Sequence, residues 1–118
     1  MPDKKIGFFG ASTGGGAALV GSTQADFPVA AIVSRGGRPD LAGEALPMVT
    51  APTLLLVGSA DEVVVQLNEQ AFAQMQCEKE MKLIPGATHL FEEPGALDQV
   101  AELAAQWFMD HMREHRDF

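Results

Sequence analysis

Four short apolar runs rich in β-forming residues punctuate this chain: Ile6-Gly7-Phe8-Phe9, Val29-Ala30-Ala31-Ile32-Val33, Thr53-Leu54-Leu55-Leu56-Val57 and Met81-Lys82-Leu83-Ile84. The first three are apolar without alternation, the pattern of a strand covered on both faces. Between them lie segments of helical character. Gly14 to about Thr23 is small and apolar. Val65 to Gln76 sets Leu67, Ala71 and Met75 on one face, and Ala96 to about Arg113 aligns Leu97, Val100, Leu103, Ala104, Trp107, Phe108 and His111. Strand–helix alternation of this kind predicts an α/β fold: four parallel strands in the order 1-2-3-4, right-handed crossovers and helices on both faces.

The 118 residues suffice for a single domain, 1–118, and no repeat or linker divides them. Eight basic against sixteen acidic residues leave a net charge of −8, and the basic residues are scattered pairs, so no nucleic-acid partner is expected. No apolar stretch is long enough for a membrane span. The start MPDKKIGFFGASTGGG reaches glycine and serine too early for a signal peptide's apolar core. The single cysteine, Cys77, cannot form an internal disulfide, which fits a reducing, cytoplasmic compartment. One Cys and three His do not point to a structural zinc cage, and neither metal nor organic cofactor is implied.

Chemistry concentrates at Gly10-Ala11-Ser12-Thr13-Gly14, a G-x-S-x-G directly between a strand and a helix. Such a turn holds a serine hydroxyl clear of the sheet, and the helix start can offer the Thr13 N–H to an oxyanion. A Cβ at either flanking glycine is expected to crowd the turn. The same glycines lack the lysine of a phosphate loop and the spacing of a dinucleotide fingerprint. A serine nucleophile needs a base, and the base needs an acid to orient it. Asp61 follows the third strand and His89 the fourth, in the order Ser, Asp, His. Glu62 is the nearest competitor to Asp61. His111 reads as a packing residue or helix-end cation, and His115 as a solvated tail residue. Taken alone, Asp61 reads as a turn or helix-cap residue. Arg35 and Arg38, in the loop after the second strand, are candidate substrate-binding cations.

The segments IGFFGASTGGGAALV, SRGGRPDLAG, APTLLLVGSADEVV and PGATHLFEEPGALDQVAELAAQWF resemble the dienelactone-hydrolase-like branch of the α/β-hydrolases. They look most like the hydrolase domain that some bacteria fuse to a phosphoribosyltransferase. The resemblance implies Ser12 as nucleophile, Asp61 as acid and His89 as base. Dienelactone hydrolase proper uses a cysteine nucleophile, and serine at position 12 favours ordinary ester hydrolysis of a small-molecule substrate.

The resemblance also implies that the chain is a truncated α/β-hydrolase, the C-terminal half of the fold. The missing half includes the loop that gives the second oxyanion N–H. Two alternatives stay open: a weak or inactive remnant serving as an interaction module, and a binder of small anionic ligands at the Ser12 helix terminus. With the preceding strands missing, Ile6–Phe9 would be an apolar edge, so a homodimer through the first strand is expected.

Overall fold

A computed structural model describes residues 5–112. It contains β1 (Ile6–Ala11), α1 (Thr13–Gln24), β2 (Val29–Arg35), a 3₁₀ segment (Pro39–Met48), β3 (Thr53–Gly58), α2 (Glu62–Gln74), β4 (Lys79–Ile84) and α3 (Ala96–Met112). The strands form one parallel sheet in the order β1-β2-β3-β4, as the alternation predicts. β3 is buried along its whole length, as its run of leucines requires of a strand covered on both faces.

Two apolar cores lie on opposite faces of the sheet. On one, Ala31, Val33, Leu54 and Leu56 pack with Phe91 and with Ala96, Val100, Ala104 and Trp107 of α3. On the other, Ile32 packs with Leu19 of α1, Ala42 and Leu46 of the 3₁₀ segment, and Ala71 of α2. The α3 stripe is rotated slightly from its sequence expectation, because Ala96 is buried and Leu97 exposed. In α2 the apolar face holds a residue that the periodicity overlooks, Asn68, which is fully buried. His115 and the Arg113/Arg116 pair lie outside the described residues. No helix among the described residues is long and apolar enough to cross a membrane.

His111, in the last turn of α3, stacks on Trp107 with ring centroids 4.1 Å apart. Its Nδ1 is 2.9 Å from the Trp107 carbonyl and its Nε2 2.8 Å from the Glu78 carboxylate. Burial pushes the imidazole pKa down. The bonds to Glu78 and Trp107 and the charges of Glu78 and Asp110 outweigh it, so the net shift is upward. A raised folded pKa gives stability that is present below the ordinary imidazole range and lost as pH rises through the folded value. Because Glu78 is exposed, the effect is modest. Glu78→Gln should lower Tm by about 2–4 °C at mildly acidic pH and by almost nothing at pH well above neutrality. An equal loss at both would show that the ion pair does not titrate.

Candidate active site

β1, β3 and β4 end on the same edge of the sheet, and the loop after each carries one polar side chain of the site. Ser12 lies between β1 and α1 with φ 53° and ψ −128°, a conformation that side chains rarely adopt. Its backbone is held on three sides. The Ser12 N–H donates to the Arg35 carbonyl at 3.3 Å, and the Ser12 carbonyl accepts from the Gly15 and Arg38 N–H groups, both at 3.0 Å. The strain is therefore built into the junction of β1, α1 and the loop after β2.

The glycines here divide unequally. A Cβ on Gly10 would run into the Gly14 backbone, whereas one on Gly14 would meet nothing within 4 Å. Only the first of the two flanking glycines is thus required by space, which corrects the expectation that both are. Gly15 and Gly16 are both crowded inside α1: a Cβ on Gly15 would overlap Ser34 Oγ, and one on Gly16 would come within 2.6 Å of the Arg38 carbonyl oxygen. The glycine run lets α1 approach the loop after β2 closely.

Asp61 occupies the cap position before α2 but makes no capping bond with its side chain. Its Oδ2 lies 2.9 Å from His89 Nδ1. The role of turn or cap residue therefore falls to its backbone, whose N–H donates to Gly58 and whose carbonyl accepts from Val65. Glu62 is exposed in the first turn of α2.

Two further bonds bring the Asp61 and His89 loops together. The Gly86 N–H donates to Ser59 Oγ at 2.7 Å, and the Ala60 N–H donates to the Ala87 carbonyl at 3.0 Å. In the His89 loop, Thr88 donates through both its N–H and its hydroxyl to the Glu93 carboxylate, at 3.0 and 2.7 Å. Those bonds hold the Glu93 carboxyl below its ordinary pKa. Phe91, at φ 57°, is buried beneath the loop and anchors it.

His89 Nε2 lies 3.0 Å from Ser12 Oγ. Ser12, His89 and Asp61 thus form one continuous line of hydrogen bonds, with the imidazole partly open to solvent and the Asp61 side chain more enclosed. A carboxylate at Nδ1 fixes the tautomer in which Nε2 is free to accept the serine proton. Thr13 opens α1 at the protein surface, so its N–H belongs to the first helical turn and has no acceptor within the helix.

The two arginines differ. Arg38 is bound to Asp40 by two bonds of 2.9 Å, which raise its own pKa and lower that of Asp40. It faces its neighbour in sequence rather than the serine. Arg35 pairs in register with Ala11, directly before Ser12. Its guanidinium carbon stands 5.5 Å from the centre of the Phe91 ring, and its buried Nε has no partner. Ser59, Phe91 and Glu93 escape a motif-based reading, because each supports the loops of the site through contacts that have no sequence signature. Among the described residues, no group of three or more His, Cys, Asp or Glu could hold a metal ion.

Comparison with known proteins sets this geometry in context. Two Mycobacterium tuberculosis proteins that carry a phosphoribosyl transferase name are each 58% identical to the chain over 107 residues, covering 91% of it and 24% of their own length. The solved dienelactone hydrolase of Anabaena variabilis superposes with a TM-score of 0.89 at 59% identity, over 92% of this chain and 50% of that one. The esterase domain of a Rhodothermus marinus protein shares the fold at 17% identity, with a TM-score of 0.80 over 91% of this chain and 62% of that one. The chain therefore spans about a quarter of the curated relatives and half of the solved dienelactone hydrolase. The model of the dienelactone hydrolase family matches residues 1–115. The chain belongs to the dienelactone hydrolase family of α/β-hydrolases.

Proposed function

We propose that the chain is a serine hydrolase of small carboxylic esters. The observation that carries this reading is the hydrogen-bonded line from Ser12 Oγ through His89 to Asp61, at 3.0 and 2.9 Å. Ser12 Oγ attacks the acyl carbon and passes its proton to His89 Nε2. The Thr13 N–H donates to the carbonyl oxygen as that oxygen becomes an oxyanion. Collapse of the tetrahedral intermediate breaks the bond to the alcohol, which takes the proton from His89. A water molecule, deprotonated by His89, then attacks the acyl-serine and releases the carboxylic acid. Asp61 keeps Nδ1 protonated throughout. Arg35, whose carbonyl accepts the Ser12 N–H, is the cation we assign to a polar acyl group.

Hydrolysis of p-nitrophenyl acetate tests the reading. Asp61→Asn and His89→Ala should each lower kcat by roughly 10⁴-fold, with KM little changed. Full activity in either variant would remove that residue from the mechanism. The anionic-ligand alternative has lost one of its two cations, because Arg38 is engaged with Asp40.

The same proposal covers setting and assembly. We place the chain in the cytoplasm on the strength of its lone Cys77, and read it as the second half of the family's fold. Among the described residues β1 pairs only with β2, and its Ile6 and Phe9 are exposed. Two such edges pairing antiparallel would cover both. Phe9→Lys is the substitution to make, because Phe8 packs against Phe27 and the core. Sedimentation should show a wild-type dimer that Phe9→Lys dissociates. A wild-type monomer at micromolar concentration contradicts the pairing.

A further inference from the structure

Asn68 is a polar residue in the middle of a helix, with no solvent exposure at all. Its Nδ2 donates to the Val64 carbonyl at 2.8 Å and, across the fold, to the Gly37 carbonyl at 3.0 Å. Its Oδ1 has no partner. Burying an amide with one half unsatisfied is costly, and a well-packed apolar side chain would avoid that cost. The bond to Gly37 is what distinguishes this asparagine from such a side chain.

Gly37 lies against the serine turn. A Cβ there would overlap Ser34 Oγ and come within 3.2 Å of the Gly15 Cα and 3.4 Å of the Ser12 carbonyl oxygen. The next residue, Arg38, donates its N–H to that same Ser12 carbonyl. A short path of backbone therefore runs from Asn68 through Gly37 and Arg38 to the strained peptide of Ser12. The helix that carries Asn68 begins directly after Asp61, so one rigid element sets both ends of the hydrogen-bonded line.

We propose that Asn68 is a positioning residue for the Ser12 nucleophile: from α2 it clamps the Gly37 peptide so that the Arg38 N–H holds the serine turn in its strained conformation. This inference rests on the reading of Ser12 as nucleophile. Without the clamp the Gly36–Arg38 bend relaxes, the Ser12 peptide loses one of its two donors, and Oγ drifts from the line to His89.

Asn68→Leu preserves approximate volume and removes the donor. It should leave a folded protein whose kcat, and whose rate of labelling by a fluorophosphonate, fall by roughly 10²-fold with KM little changed. The Arg38 backbone amide should exchange with solvent faster than in the wild type. Ala71→Gly, one turn along at an equally buried position, is the control: it lowers stability without changing kcat or the Arg38 exchange rate. Should Asn68→Leu not fold, Asn68→Ala measured below its own melting midpoint supplies the same comparison.

Wild-type labelling and Arg38 exchange in the leucine (or alanine) variant would overturn the positioning role and leave the nucleophile reading standing. Faster Arg38 exchange in a protein whose wild type is not labelled at Ser12 would overturn the nucleophile reading and leave only the clamp. A loss of kcat equal in Ala71→Gly and in the Asn68 variant would reduce Asn68 to ordinary packing.

Discussion

Ser12→Gly is expected to destroy ester hydrolysis and to stabilise the protein at the same time. The activity falls by roughly 10⁴-fold or more, since no other group replaces the nucleophile. The stability rises because Ser12 holds φ 53° and ψ −128°, where a Cβ costs on the order of 1–3 kcal/mol and glycine is at ease. Glycine's greater freedom in the unfolded chain takes back roughly 0.5–1 kcal/mol. The net gain is about 0–2.5 kcal/mol, or a rise in Tm of up to about 10–15 °C. Ser12→Ala keeps the Cβ, and with it the strain. It should be equally inactive, with a Tm near that of the wild type. Melting curves of the three proteins check this. A glycine variant less stable than the alanine variant would mean that the turn is not strained.

The next largest effect is expected at Gly10. An added methyl group there meets the backbone of Gly14, with the carbonyl carbon at 2.5 Å and the Gly15 nitrogen at 2.8 Å. Backbone cannot rotate aside as a side chain can, so either the β1–α1 junction opens or the chain does not fold. Gly10→Ala should therefore lose about 3 kcal/mol or more, together with all activity that survives in the soluble fraction. Gly14→Ala meets open space and sits at the start of a helix. It should keep near-wild-type activity and gain up to about 1 kcal/mol from helix propensity. Denaturant unfolding of both variants decides the matter, and equal losses at the two positions would contradict the crowding argument.

Much of this architecture is legible in the sequence, for a physical reason. A strand buried on both faces must be apolar throughout, so β2 and β3 announce themselves, and β1 carries the same apolar run although its Ile6 and Phe9 are exposed at the edge of the described sheet. Their ends are less legible. Gly10-Ala11 and Ser34-Arg35 carry no such signal and become strand by pairing with each other and, for Ser34 and Arg35, with Leu55 and Leu56 of β3. The 3₁₀ segment Pro39–Met48 is hidden by Pro39, Gly43 and Pro47, which read as loop. Its Ala42 and Leu46 nevertheless cover the core beside Leu19 and Ile32. Asn68 was invisible because a polar residue on a helix normally marks the solvent face, and here tertiary hydrogen bonding overrides that pattern.

The site divides in the same way. Ser12, Asp61 and His89 can be read because each follows its own strand, and parallel strands deliver their C-terminal loops to one edge. Arg38 could not be judged from sequence, since its bond to Asp40 depends on how the 3₁₀ segment opens. The Ser59–Gly86 and Thr88–Glu93 bonds belong to loop conformations with no period to read.

Fluorophosphonate labelling followed by peptide mass spectrometry tests the central claim most directly, because the reagent reports an activated serine and the peptide reports which one. One adduct per chain is expected, on Ser12, absent from Ser12→Gly and greatly slowed in His89→Ala. An adduct on Ser22, Ser34 or Ser59, or a folded wild-type protein that takes up no label, would contradict it.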